Sequence, residues 1–208
     1  MIAGSGLWLP PKALVLASGS ITRRDMLMAA GVPLETVKPA VDERAVEAPL
    51  LAAGESPVRT ALALAVAKAS AVSAQQPDRL VLGADQTLAC AGKTFHKPAH
   101  RAAAARQIAA LAGRDHELHS AFALVRGGAV LAQGHQTARL TMRPLTPGFI
   151  EAYLDTVGDT AFSSVGGYQI EGFGAQLFER IDGDHFTILG LPLLPVLAAL
   201  RDLSVLAR

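Results

Sequence analysis

Residues 13–31 read ALVLASGSITRRDMLMAAG. The first six form a short apolar run ending in small residues, and from Arg23 an apolar pattern at helical spacing continues through Leu27 until Gly31 stops it. A strand, a tight turn and a helix thus follow one another, as at the start of an α/β fold. A second helix is signalled at SPVRT (56–60), where Ser56 can cap and Pro57 takes the first helical position. Its continuation, ALALAVAKASAV (61–72), is nearly all apolar and is expected to be buried. RLVLGAD (79–85) reads as a strand that ends in a Gly, an Ala and an acid, after which AGKTF (91–95) turns the chain back. Pro98 opens a polar turn before the Ala-rich helix AHRAAAARQIAALAG, stopped by Gly113. HELHSAFALVR and AVLAQGHQTARLTMR flank Gly127-Gly128 as a hairpin. The last third offers a helix around TPGFIEAYLDTV, a Gly-rich loop FSSVGGYQIEGFG, a strand AQLFERI and a helix after Pro192. Helices and strands alternate, but at least two connections are hairpins. The expected fold is therefore α/β, with a mixed, elongated sheet and flanking helices rather than a purely parallel sheet.

A chain of 208 residues is long enough for one domain or two intimately joined lobes. Half of it is hydrophobic, 18% charged and only 5% aromatic, so disorder is excluded as the main state and the core must be built from Ala, Leu and Val. Residues 1–10 are expected to form a frayed tail, and residues 11–208 a single domain. The formal charge of +1 gives no reason to expect a nucleic-acid or membrane-surface partner, so any anion site must be local. The longest apolar stretch, TILGLPLLPVLAAL, has 14 residues including two prolines, short of the roughly 20 that span a bilayer. The N-terminus lacks a basic region followed by a long apolar one, and Cys90 has no second cysteine to pair with, which fits a reducing cytoplasm.

Chemistry concentrates in three places. In LASGSITRR, backbone N–H groups, the Ser18 and Ser20 hydroxyls and an arginine fork could converge on one anion; the plainer reading is a capped helix with solvated arginines. Asp42 and Glu43 in AVDER and Asp85 in LGADQ read as acids at strand ends, able to hold a hard divalent ion while one of them orients water. The alternative for Asp85 is a residue that merely ends a strand or caps a turn. Lys68 interrupts the apolar helix and either snorkels to water or meets an anion; Lys97, in FHKP, is either an anion ligand or ordinary turn surface. Other chemistries fail on spacing. Pro98 lies between His96 and His100 and prevents a helical zinc pair, and no GxSxG elbow surrounds any serine. His116 and His119 are expected to face opposite sides of a strand, in solvated or structural roles.

Taken in order, LASGSITRR, VDE, LGADQ, HKP, LAGRDHELHSAFAL, GGYQIEGFG and GLPL resemble the Maf family of nucleoside triphosphate pyrophosphatases, from residue 13 to about 200. The resemblance implies two lobes around a central cleft and hydrolysis of a nucleoside triphosphate between the α and β phosphates with a divalent metal, Mg²⁺ or Mn²⁺. It also implies a house-cleaning role with a link to cell-division arrest, and is compatible with a homodimer. Residue by residue, Ser18, Ser20 and Arg23 match the phosphate-binding loop, with Arg24 beside them. Glu43 matches the acid of the second motif, Lys68 the helix lysine, Asp85 the acid taken as catalytic base and metal ligand, and Lys97 the lysine before proline. Thr22, Gln86 and Glu171 differ from the dTTP and UTP branch; Gln86 and Glu171 resemble the 7-methyl-GTP branch, whereas Thr22 is not the bulky aromatic of that branch, so the base is left open. A glutamate at 171 could accept hydrogen bonds from a guanine N1–H and amino group. The rival reading is a non-catalytic nucleotide-binding regulator of septum formation.

Overall fold

The structure is a computed structural model and describes residues 6–208. In chain order it runs β1 (Leu14–Ala17), α1 (Ile21–Ala29), β2 (Leu34–Thr36), α2 (Glu43–Ala52), α3 (Pro57–Ser73), β3 (Val81–Cys90) and β4 (Lys93–Phe95). Then follow α4 (Arg101–Leu111), β5 (Asp115–Arg126), β6 (Ala129–Met142), α5 (Pro147–Val157), β7 (Phe178–Asp182), α6 (His185–Ile188) and α7 (Leu193–Asp202). The seven strands make one mixed sheet in the order β2-β1-β3-β5-β6-β7, with β4 also paired to β3. β1 is parallel to both β2 and β3, whereas β4 on β3 and β7 on β6 are antiparallel.

The chain divides into two compact units. One comprises residues up to Gln86, Ser120–Gln136 and Phe186–Arg208; the other comprises Thr87–His119 and Thr137–His185. In the first, β1 is buried on both faces, as a central parallel strand must be. Leu14 and Leu16 pack with Leu27 of α1 and Val196 and Leu200 of α7. Val15 and Ala17 point the other way, to Ala69 and Val72 of α3. Alternation along one strand thus serves a helix layer on each face. The side of α3 that meets the sheet is unusually thin. Its Ala61 and Ala65 cluster with Ala121 and Ala123 of β5, and Gly83 of β3 comes so close that a Cβ there would sit 2.1 Å from the Ala65 carbonyl oxygen. Of the expected tail, residues 1–5 lie outside the described residues. Trp8 pairs with Leu206, and Leu9 N–H donates to the Val205 carbonyl at 3.1 Å.

The second unit is organised around rings. Tyr168 meets Phe178 edge-on with centroids 4.8 Å apart, and its hydroxyl lies 2.7 Å from His116 Nε2. The Gly166-Gly167 pair lets the chain reach this cluster: both have φ near +80°, and a Cβ at 166 would meet Leu88 and Tyr168 within 2.8 Å. Neither histidine of the HELH stretch is solvated. His116 is 1% exposed, and His119 is buried with its Nδ1 2.9 Å from Thr137 Oγ1. Burial pulls His116 down from its ordinary value of 6.5 to about 4. The unfolded chain therefore binds this proton more readily than the folded one, so the stability it represents is complete above pH 6.5 and disappears as pH falls toward 4. The loss is expected to be on the order of 3 kcal/mol. Urea unfolding at pH 7 and pH 4.5 measures it, and His116→Gln, which retains a partner for Tyr168 but does not titrate, should flatten that part of the dependence.

Several expectations change. β3 does not end at Asp85; it continues to Cys90, because residues 88–90 pair with β4 around the Ala91-Gly92 turn, whose φ values are +48° and +76°. Asp42 and Glu43 do not end a strand. Asp42 caps α2, accepting from the N–H groups of Arg44 and Ala45, and Glu43 is the first helical residue. Pro49 within this helix had hidden it from a reading by pattern. The strand expected from Ala175 begins at Phe178, after a short 3₁₀ turn over Phe173–Leu177.

Candidate active site

The first unit builds its polar centre from the strand-to-helix turn outward. Ser18, buried at the end of β1, accepts from the Ser20 N–H through its hydroxyl, and Ser20 caps α1 by accepting from the Arg23 N–H. Capping directs the first turn of α1 so that Arg23 reaches back over the sheet. Its Nε donates to the Gly190 carbonyl at 2.7 Å, and its Nη1 donates to the Ala84 carbonyl at 2.9 Å and to Ser18 Oγ at 3.3 Å. Burial lowers the guanidinium pKa, against the pull of Asp85 and Glu43. It remains charged, as arginine does in proteins.

Lys68 resolves its own ambiguity. It does not snorkel: at 7% exposure it donates to Asp85 Oδ1 at 2.5 Å and lies 2.8 Å from Glu43 Oε1. Asp85, also 7% exposed, sits two residues beyond Gly83 and so on the same face of β3, the face that meets α3. The glycine lets the helix descend, and the lysine one turn along meets the carboxylate. Burial pushes the Asp85 carboxyl up, opposed by the charges of Lys68 and Arg23. Arg23, Lys68, Glu43 and Asp85 form a locally balanced set of two cations and two carboxylates.

Gln86 follows Asp85 but turns its amide onto the protein. Its Nε2 faces Ser120 Oγ at 3.1 Å, the Thr187 carbonyl at 3.0 Å and the Ile188 carbonyl at 3.1 Å. Arg24 also lies apart from the centre, its Nε 2.9 Å from Asp25 Oδ1, and Thr22 is exposed. Lys97 and Glu171 belong to the second unit. Lys97 is exposed after β4, and the exposed Glu171 has its Oε1 3.2 Å from His185 Nε2. Sequence reasoning missed the two carbonyls that hold Arg23, the partners of Gln86 and the role of Gly83. Only the glycines left a signal, in LGAD and GLPL.

Among the described residues, no group of three or more His, Cys, Asp or Glu side chains is gathered for a metal ion. Glu43 and Asp85 do share one neighbour, Lys68 Nζ, and two hard carboxylate oxygens are a donor set that suits Mg²⁺ or Mn²⁺ when substrate phosphates complete the shell. The donor chemistry therefore fits a divalent ion.

Fold and centre together define a mixed-sheet α/β protein with a buried cation–carboxylate cluster beside a serine-rich strand-to-helix turn. The chain belongs to the Maf family, whose model, described as Maf-like protein, matches residues 13–203. It is 57% identical to a nucleoside triphosphate pyrophosphatase of Rhodopseudomonas palustris over 97% of this chain and 98% of that one. It is 55% identical to a 7-methyl-GTP pyrophosphatase of Mesorhizobium japonicum, covering 93% and 97% respectively. A 7-methyl-GTP pyrophosphatase of Rhizobium etli is 52% identical, covering 95% and 99%. Among the described residues no helix is long and apolar enough to cross a membrane.

Proposed function

We propose that this chain is a nucleoside triphosphate pyrophosphatase, cleaving the α–β phosphoanhydride to give a nucleoside monophosphate and pyrophosphate in a house-cleaning role in the cytoplasm. The observation that carries this reading is the buried Lys68, held between Asp85 and Glu43 beside the fixed Arg23. Close relatives named for this activity support it. Asp85 accepts the proton of the attacking water, whose oxygen bonds to the α phosphorus while the bond to the bridging oxygen breaks and pyrophosphate departs. Burial raises the Asp85 carboxyl, which makes its carboxylate the stronger proton acceptor. Arg23 and Lys68 neutralise phosphate charge, and because protein carbonyls already hold Arg23 in place, little reorganisation is needed. Ser18 and Ser20 present hydroxyls and the N-terminus of α1 to phosphate. Glu43 and Asp85 are the residues that would hold Mg²⁺ or Mn²⁺; the ion, when bound, supplies Lewis-acid polarisation of phosphate oxygens.

On this reading Lys97 neutralises phosphate charge and Glu171 recognises the base. Release of pyrophosphate from a panel of triphosphates, with Mg²⁺, with Mn²⁺ and with neither, tests the reading; no release from any of them would overturn it. Glu171→Gln should shift preference from guanine-type toward pyrimidine triphosphates, lowering the ratio of their kcat/KM values about tenfold, the size of one charge-assisted hydrogen bond. An unmoved ratio would remove Glu171 from base recognition.

A further inference from the structure

We propose that Phe173 is a specificity-determining residue that stacks on the face of the nucleotide base, an inference that rests on the reading of Glu171 as the residue that recognises the base's edge. Phe173 is 57% exposed, whereas every other Phe, Tyr and Trp among the described residues is buried or half-buried. Single apolar side chains on a surface are ordinary; this one is distinguished by where the chain holds it. The loop that carries it is tied at both ends within the second unit. Tyr168 and Leu177 are buried on either side, and the Gln169 amide donates to Ser163 Oγ at 2.8 Å. Between them main chain closes on main chain: a Cβ at Gly174 would overlap the Gln169 carbonyl group, and the Ala175 N–H donates to the Gly172 carbonyl at 3.1 Å. A loop closed in this way presents Glu171 and Phe173 in a fixed relation.

Gly172 sets that relation. Its φ of +127° is one that L side chains rarely adopt, and nothing stands within 4 Å of where its Cβ would be, so the glycine answers to the turn and not to crowding. Two positions apart, Glu171 and Phe173 have Cα atoms at most about 7 Å from each other, close enough for both side chains to reach one base. Their contacts are complementary. A carboxylate accepts from a guanine edge through N1–H and the amino group, and its four or so acceptor sites are not used up by His185 Nε2 at 3.2 Å. In open water such bonds are weakened by competing solvent. A ring laid on the base removes water from one face and adds stacking of its own. A purine offers the larger face, and one that carries a delocalised positive charge is attracted further by the electron-rich ring and by the carboxylate. The pair thus selects purines over pyrimidines, and a cationic purine most strongly.

Pyrophosphate release from N7-methylated GTP, GTP and UTP is compared for wild type, Phe173→Leu and Phe173→Trp in the full chain. Calorimetric binding of inorganic tripolyphosphate, which has the charge of the substrate tail and no base, is the control. Phe173→Leu keeps an apolar side chain at an exposed position, so its Tm should match wild type. Its kcat/KM should fall about tenfold for N7-methylated GTP, the size of one lost base stack, by less for GTP and least for UTP, with tripolyphosphate affinity unchanged. Phe173→Trp should keep the wild-type order of substrates and supplies a direct signal, because the chain has one other tryptophan, Trp8. Indole emission quenched by N7-methylated GMP in Phe173→Trp, and not in wild type, places the base on residue 173. Unchanged kcat/KM ratios in Phe173→Leu, a fall shared equally by all three triphosphates, or emission in Phe173→Trp that the nucleotide leaves alone would overturn the stacking role. Shifted ratios in Phe173→Leu beside unmoved ones in Glu171→Gln would support the stack and overturn the edge contact. A wild type that releases pyrophosphate from no triphosphate would overturn the enzymatic reading itself.

Discussion

Asp85→Asn should reduce pyrophosphate release by about a thousandfold while leaving nucleotide affinity intact, in line with the loss of a general base. Asparagine fills the same volume, and its oxygen still accepts from Lys68, so the cluster keeps its shape. It cannot take a proton from water. Removing one carboxylate also leaves the set with two cations against Glu43 alone, which favours a polyanionic ligand. Single-turnover release and calorimetric binding of one triphosphate measure the two halves. Because burial raises the Asp85 carboxyl, the wild-type acid limb of kcat/KM should lie above the ordinary carboxylate range and be absent from the variant's residual rate. Retained turnover would reject Asp85 as base. A regulator that only binds nucleotide would be indifferent to the change.

Gly83→Ala should be the most damaging substitution of a residue that touches no ligand. Its added carbon would lie 2.1 Å from the Ala65 carbonyl oxygen, 2.7 Å from the Ala69 nitrogen and 2.9 Å from Ala69 Cβ. Two of those three are backbone atoms, which cannot swing aside, so α3 must lift from β3. Overpacking of this kind costs about 3 kcal/mol or more, or roughly 6–12 °C in Tm for a chain of this size. Lys68 rides on the displaced segment, so pyrophosphate release should also fall at temperatures where the variant is still folded. Gly148→Ala, with open space around its site, is the control and should change neither quantity. Equal melting of Gly83→Ala and wild type would show that the contact is softer than its distances imply.

The parts of the fold that could be read directly were those with local causes. Ser20 and Ser56 each cap the helix that follows, Pro57 opens α3, and Gly127-Gly128 closes a hairpin, all within a few residues. Three acids, Asp42, Glu43 and Asp85, were placed in the wrong setting by the same local logic. The QTLAC segment looks like a departure from the strand until β4 is there to pair with it, and Asp42 declares itself a helix cap only once Pro49 is accepted inside α2. Within the site, residue types were legible and partnerships were not. Lys68 and Asp85 are 17 positions apart across a crossover, Arg23 and Gly190 are 167 apart, and Gln86 and Thr187 are 101 apart. No periodicity encodes such distances. Gln86 drew attention only through the branch comparison, and nothing in its neighbourhood in sequence points to the Thr187 and Ile188 carbonyls that its amide nitrogen meets.

The alanine seam of α3 against Gly83 settles what kind of ruler measures this site. In most cores the spacing of helix and sheet is set by flexible side chains, and it drifts as they change rotamer. Here main chain rests almost on main chain, so the span from the lysine's helix to the aspartate's strand is a hard stop, insulated from repacking elsewhere in the interior.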